Sequence, residues 1–158
     1  MRGVNDFAIA ILRIAVGILF LIFGEYKVFG TEFTLHGGFE MWIHRFLRDC
    51  AAYPIFVPVL QKLVLAYPRT LAFLVAYVEF AIGCALVLGI FVKSASALGF
   101  VYMLILLLSS NFPGPHAQVW QDFGASLDHS VLALCFMAFI LGKSDQNLSI
   151  GSTRATKK

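Results

Sequence analysis

Four ionisable side chains fall inside long apolar runs of this 158-residue chain, where a charge is costly. They are Arg13, Glu79, Asp128 and His129. An unpaired charge at the centre of a bilayer costs roughly 2.5–3.5 kcal/mol on insertion scales. Such residues are expected to face the interior of a helix bundle, where they either pair with one another or bind and transfer protons.

Glu79 is the candidate centre of this set, because two stripes of small residues could bring opposite charges towards it. The first stripe is Arg13, Gly17, Phe20, Gly24 and Lys27, and the second is Ala72, Ala76, Glu79 and Gly83. Residues at these spacings share one helix face, and small residues let two helices pack closely in lipid. Either Arg13 or Lys27 could pair with Glu79, and Asp128 and His129 are predicted at a similar depth. A buried structural ion pair and a ligand or proton-relay site both remain open.

The composition predicts the setting of these residues. Hydrophobic residues make up 59% of the chain and charged residues 13%, against about 45–50% and about 25% in soluble domains. With a mean hydropathy of +0.83, charged side chains are too few to cover a soluble globule or to keep a chain disordered. A net charge of +3 is too small to indicate a nucleic-acid partner. The chain is predicted to be an integral membrane protein in contact with lipid.

Four apolar segments approach the roughly 20 residues that a membrane-spanning helix needs. Their approximate bounds are 7–27, 70–92, 94–110 and 123–141. A helix satisfies its own backbone hydrogen bonds where lipid offers no partner. The predicted fold is therefore all-α, a four-transmembrane-helix bundle over residues 1–142, with a polar cytoplasmic tail over residues 143–158.

The first loop is predicted to contain an amphipathic interfacial helix. Apolar residues recur there at helical spacing, at Phe39, Trp42, Ile43, Phe46, Leu47 and Cys50. Charged residues take the opposite face, and a tryptophan such as Trp42 is typical of a membrane interface. The next segment, residues 55–67, is short and marked by prolines, which favours a re-entrant or interfacial segment over a fifth span.

Basic residues predict the orientation of the bundle. The loop over residues 111–122 contains no Lys or Arg, whereas the two termini and the turn at Lys93 are basic. Basic residues in short loops favour the cytoplasmic side. Both termini are therefore expected in the cytoplasm, with the protein in the cell (inner) membrane.

No motif for a metal or for a nucleotide, haem or flavin cofactor is found. His36, Glu40 and His44 are spaced four apart, but Gly37 and Gly38 interrupt the helix that would align them as metal ligands. The three cysteines form no CxxC pair, and there is no GxGxxG, P-loop, HExxH or CxxCH sequence.

Two short motifs resemble the DoxX/DoxD-like family of integral membrane proteins. The first is the run 12–20 with its arginine and glycine, followed by Gly24 and Lys27, which is similar to the family's first helix. The second is the E-x-x-x-G pattern that begins at Glu79, followed by the L-G-I-F run at 88–91 and Lys93. The resemblance runs from about residue 7 to residue 142.

The resemblance implies a membrane subunit of a quinone-linked oxidoreductase, because one branch looks like the small membrane subunit of a thiosulfate:quinone oxidoreductase. Quinone is then the expected cofactor, with a redox protein or a second copy of the chain as partner. Glu79, Asp128 and His129 are the candidate catalytic residues, and Arg13, Lys27 and Glu79 the candidate cofactor-binding residues. The family's last helices offer little to align, so Asp128 and His129 inherit no role from it.

Two other classes remain open. The main alternative is a non-enzymatic assembly or scaffold membrane protein, as a distant animal relative of the family is. A small-solute transporter is the third class, and the lack of an internal repeat counts against it.

Overall fold

The regular structure is helical throughout the described part of the chain. The computed structural model describes residues 2–124, 126–142 and 148, and no strand occurs among them, which confirms the all-α prediction. The helices are α1 (Arg2–Phe29), α2 (Thr31–Thr34), α3 (Gly38–Arg48), α4 (Val57–Val59) with a π-helical turn directly after it (Leu60–Val64), α5 (Pro68–Leu88), α6 (Val92–Ser110), α7 (Val119–Gly124) and α8 (Leu127–Leu141). The predicted tail, 143–158, lies outside the described residues except for Leu148.

Three of these helices are long and apolar enough to cross a membrane. They are Asn5–Phe29 within α1, Pro68–Leu88 and Val92–Ser110. The fourth predicted span, 123–141, is divided between α7 and α8, and α8 has 15 residues. Such a helix rises about 22 Å, less than the roughly 30 Å of a hydrocarbon core. Over the described residues the structure gives three helices of spanning length, and the count of four is not confirmed.

The division of the last apolar run occurs at Ser126. Its backbone leaves the helical region, with φ −126° and ψ 30°, and its buried hydroxyl donates a hydrogen bond to the Asp122 carbonyl at 3.0 Å. A count of apolar residues does not detect a backbone break of this kind, and the run 123–141 was therefore predicted as one helix.

Glycines let α1 and α5 pack with their backbones in contact. A Cβ added at Gly24 would lie 2.6 Å from the Phe80 nitrogen, and one at Gly83 would lie 2.7 Å from the Leu21 nitrogen. Further towards the start of α1, Gly17 packs against Leu86 in the same way. As residue numbers rise along α1 they fall along α5, so the two helices are antiparallel. The small-residue stripes of the two helices therefore meet.

The main core is formed where α6 and α8 pack on the α1–α5 pair. Phe20 of α1 meets the ring of Phe136 on α8 edge to face, with ring centroids 5.2 Å apart. Gly99 of α6 lies against the same Phe136 ring, where a larger side chain would clash. Ile82 and buried residues of all four helices complete one apolar cluster. This core fixes the face of α6 that turns towards α1 and α5.

The first loop forms a second, smaller core beside the bundle. Ile43 of α3, Leu60 of the π-helical turn and Ala52 are buried and belong to one apolar cluster. The opposite face of α3 carries exposed charges, including Glu40 and Arg45. The segment predicted as re-entrant, 55–67, contains the short helix α4 and the π-helical turn.

Hydrogen bonds hold the end of this loop to the end of α6. The Tyr53 N–H donates to the Leu108 carbonyl at 2.9 Å, and the Phe112 N–H donates to the Ala51 carbonyl at 2.8 Å. The Tyr53 hydroxyl donates to Asp122 Oδ1 at 3.0 Å. These contacts, here called the loop clasp, join the first loop to the chain that connects α6 with α8.

Candidate functional site

Lys27 and Glu79 form a buried ion pair between α1 and α5. Lys27 Nζ lies 2.6 Å from both carboxylate oxygens of Glu79. The side chain of Glu79 is 6% exposed and that of Lys27 is 18% exposed. Gly24 lies one turn before Lys27 and contacts the backbone of Phe80, the residue after Glu79. The close approach of the helices at Gly24 therefore brings the ammonium group to the carboxylate.

Tyr102 of α6 completes the polar cluster. Its buried hydroxyl donates a hydrogen bond to Glu79 Oε1. The ring is held by Phe20, with centroids 6.5 Å apart in an edge-to-face arrangement. A buried tyrosine hydroxyl normally finds a polar partner. That rule was the available signal, but the candidate site residues named from the sequence did not include Tyr102.

The ammonium group of Lys27 also faces an aromatic ring. Lys27 Nζ lies 5.0 Å from the centroid of Phe33, close enough for a cation–π contact. Phe33 belongs to α2, the short helix that follows α1. The cation is thus held between a carboxylate and a ring face, and the pair with Glu79 carries no net charge.

A large apolar cavity opens beside this cluster, between α1, α3, the π-helical turn, α5 and α6. Its volume is about 930 Å³. Most of its lining is aliphatic or aromatic, and Lys27, Tyr102 and Ser109 are among its few polar residues. Glu79 does not line it, so it meets the cavity only through Lys27 and Tyr102. Sites for small organic ligands are typically about 300–1,000 Å³, mostly apolar, with a few polar groups.

Arg13, the other candidate partner of Glu79, lies elsewhere in the bundle. Its side chain is fully buried, and its Nη2 donates a hydrogen bond to the Leu148 carbonyl at 2.7 Å. Of the two basic residues that the small-residue stripe offered, the structure brings Lys27 to Glu79. Arg13 instead links α1 to the described residue of the tail.

Asp128 and His129 form a separate polar group at the start of α8. His129 Nδ1 lies 2.8 Å from the side-chain oxygen of Asn111 and 3.3 Å from Asp128 Oδ1. Asn111 follows Tyr102 by nine positions, roughly 13 Å at 1.5 Å per residue. The structure therefore does not bring these two candidate catalytic residues to Glu79.

The three residues weighed as metal ligands in the first loop do not converge on one site. The left-handed backbone of Gly37, at φ +80°, separates His36 from α3, and His44 lies 3.7 Å from Glu40 on the exposed face. In the described ranges no group of three or more His, Cys, Asp or Glu side chains could hold a metal ion.

The comparisons with known proteins agree with the motifs of the first two long helices. The family model DoxX matches residues 8–111, which include Lys27, Glu79 and Tyr102. No curated protein and no solved structure matches the chain. The matched region ends before α7 and α8, so Asp128 and His129 lie outside it.

Proposed function

The chain belongs to the DoxX family, and on that premise we propose that it is the membrane subunit of a quinone-linked oxidoreductase. The quinone occupies the cavity beside Lys27 and Tyr102. The observation that carries the proposal is the cavity itself, about 930 Å³ of mostly apolar space with an ion pair at its wall. A quinone head group needs hydrogen-bond donors for its carbonyl oxygens, and its isoprenoid tail needs apolar surroundings.

The charges of Lys27 and Glu79 at the cavity wall favour a ligand with a neutral head group over a ligand with an anionic one. Lys27 is the positive residue of the cavity lining, and both oxygens of Glu79 lie 2.6 Å from its ammonium group. The pair presents no net charge to a ligand, so a fatty-acid carboxylate would gain little from Lys27 and would meet the negative charge of Glu79 nearby. A carbonyl oxygen needs only one N–H, and an ammonium group has three.

Glu79 is the proposed proton-handling residue of the site. Reduction of a quinone consumes two electrons and two protons, and the chain has no motif for an electron-carrying cofactor. The electrons come from a separate redox protein, and protons reach the ligand through groups that contact the cavity. Asp128 and His129 are assigned no ligand contact, because Asn111, the partner of His129, follows Tyr102 by nine positions along the chain.

The membrane topology is part of the same proposal. α1, α5 and α6 cross the bilayer, and α8, preceded by α7, crosses as a fourth and shorter segment in the cell (inner) membrane. The exposed apolar residues Leu134 and Leu141 on α8 support this placement. Both termini and Lys93 are then cytoplasmic, and α3 lies in the headgroup region with Trp42 at the interface.

The donor protein docks on the outer face in this arrangement. Trp120 of α7 is 66% exposed and Trp42 of α3 is 41% exposed, and exposed aromatic residues are enriched in protein interfaces. A second copy of the chain could use the same surface, and co-purification of the native complex distinguishes the two partners.

Quenching of tryptophan fluorescence tests quinone binding directly. The chain has two tryptophans, and of these Trp42 lines the cavity. A Trp120→Phe variant in lipid nanodiscs leaves Trp42 as the reporter. A short-tailed benzoquinone should quench its emission saturably, and Glu79→Gln should weaken the apparent affinity at least severalfold.

A scaffold role is the second candidate, because Glu79 is already well satisfied. Lys27 and Tyr102 together supply three hydrogen bonds to its carboxylate, as in a purely structural ion pair. If quenching is not saturable and no redox protein co-purifies, the assembly or scaffold function replaces the quinone proposal.

A further inference from the structure

The Tyr102 hydroxyl offers a ligand an acceptor, since its proton is already used. The hydroxyl donates to Glu79 Oε1, and an ionised carboxylate can only accept hydrogen bonds. The Lys27 ammonium group donates to both oxygens of the same carboxylate at 2.6 Å. The phenol proton therefore lies on the Glu79 side, which leaves only lone pairs on the phenol oxygen for a ligand, and Tyr102 is one of the residues that line the cavity.

Lys27 offers a ligand a hydrogen-bond donor, whereas Tyr102 offers an acceptor. An ammonium group has three N–H donors, and the two carboxylate oxygens of Glu79 account for two of them. The third can be donated to a ligand in the cavity that Lys27 also lines. Because both residues bind the same carboxylate, the donor of Lys27 and the acceptor of Tyr102 lie close together.

We infer that Tyr102 makes the cavity selective for the reduced form of its ligand, a hydroquinone over the corresponding quinone. This inference rests on the proposed quinone-binding function. One hydroquinone hydroxyl can donate to the Tyr102 oxygen and accept from the Lys27 ammonium group at once. A quinone carbonyl can only accept, so it satisfies Lys27 and leaves the Tyr102 oxygen facing another acceptor. Tyr102 is thus the residue that makes the affinity depend on the oxidation state of the ligand.

The test is a comparison of two ligands that differ only by two electrons and two protons. A short-tailed benzoquinone and its hydroquinone are titrated, without oxygen, into the full chain in lipid nanodiscs. The wild type should bind the hydroquinone about tenfold more tightly, the gain that one net hydrogen bond of ordinary strength supplies. Tyr102→Phe should abolish this preference by weakening the hydroquinone alone. Tyr77→Phe is the matched control on α5, because Tyr77 is exposed and does not line the cavity.

A change in the ligand keeps the test decisive if Tyr102→Phe fails to fold. The dimethyl ether of the same hydroquinone has its two oxygens but no O–H donor. It should bind the wild type no more tightly than the quinone does. Equal affinities for quinone and hydroquinone in the wild type would overturn the inference and leave the proposed function standing. Lack of saturable binding by either ligand would overturn the proposed function itself.

Discussion

Lys27, in the last turn of α1, donates hydrogen bonds to both carboxylate oxygens of Glu79 on α5, each at 2.6 Å. The two residues are 52 positions apart in the chain. Their pairing depends on the glycine at position 24, which lets the helices touch at Phe80. Through Tyr102, which donates to the same carboxylate, the pair also connects α1 and α5 to α6.

A double-mutant cycle tests the ion pair. Removing one partner of a buried pair leaves the other charge uncompensated and typically costs about 3–5 kcal/mol. Lys27→Met and Glu79→Gln should each lower the free energy of unfolding in detergent by about that amount, and the double variant by clearly less than the sum. The matched control is the cycle of Arg13→Met with Glu79→Gln, whose losses should add. Additive losses in the Lys27 cycle would show that the pair is not energetically coupled.

A second prediction concerns the effect on stability of enlarging the glycines that lie between α1 and α5. Gly24→Ala and Gly83→Ala place a Cβ 2.6–2.7 Å from backbone atoms of the facing helix, and overpacking of this kind costs about 1–3 kcal/mol. Both variants should melt at a lower temperature than the wild type. Gly124→Ala is the control, because the nearest atom to its Cβ is 4.0 Å away. If Gly24→Ala proved as harmless as the control, the helices would not be in backbone contact there.

The sequence predicted the helical class and the candidate pair because both follow from local patterns. Apolar runs of about 20 residues and stripes of small residues are visible without coordinates, and they placed Arg13 and Lys27 on the face that meets Glu79. Choosing between the two needed the helix register, which the contact of Gly24 with Phe80 sets. Tyr102 was missed because its role depends on where α6 packs, a feature of the whole bundle.

Asp128 and His129 were predicted near Glu79 on the assumption of one continuous helix over residues 123–141. The backbone leaves the helical region at Ser126 instead, and α8 starts one residue later. The two residues then lie in the first turn of α8, and His129 meets Asn111 at the end of α6. The break at Ser126 therefore places both residues at the start of a helix, which the apolar run alone did not predict.

The Tyr53 hydroxyl in the loop clasp is expected to stabilise the fold to an extent that depends on pH. Burial, the hydrogen bond to Asp122 and the charge of Asp122 raise the pKa of Tyr53 above its usual 10.0. The neutral Tyr53 hydroxyl therefore contributes fully to the free energy of unfolding below pH 10.0. This contribution is lost as the pH rises through the raised pKa of Tyr53. Tyr53→Phe should lower the free energy of unfolding at neutral pH by about 1 kcal/mol. Its free energy of unfolding should also lack the part of the alkaline pH dependence that Tyr53 contributes to the wild type.

Tyr67→Phe is the control for this prediction, because Tyr67 is exposed. It should leave both stability and its alkaline pH dependence unchanged. If Tyr53→Phe were as stable as the wild type at neutral pH, the Tyr53 hydroxyl would contribute nothing to the loop clasp.

Cysteine labelling tests the orientation. Cys50 is exposed in the first loop, whereas Cys84 and Cys135 are half-buried on α5 and α8. With both termini cytoplasmic, a membrane-impermeant maleimide should label Cys50 in intact cells and leave the other two unmodified. Cys50→Ser should abolish the signal. Labelling of Cys50 only after lysis would invert the orientation.

Photoaffinity labelling tests the central claim, that the cavity beside Lys27 and Tyr102 holds a quinone. A photoreactive short-tailed quinone is irradiated with the wild-type protein in nanodiscs, and modified peptides are identified by mass spectrometry. Adducts should fall on cavity-lining residues such as Trp42, Leu74 and Tyr102, and excess unlabelled quinone should prevent them. Leu74→Trp, which narrows the cavity from an exposed lining position, should reduce labelling, whereas Leu104→Trp, equally on a spanning helix but outside the lining, should not. Adducts that competitor does not prevent, or that fall only outside the cavity, would contradict the quinone site.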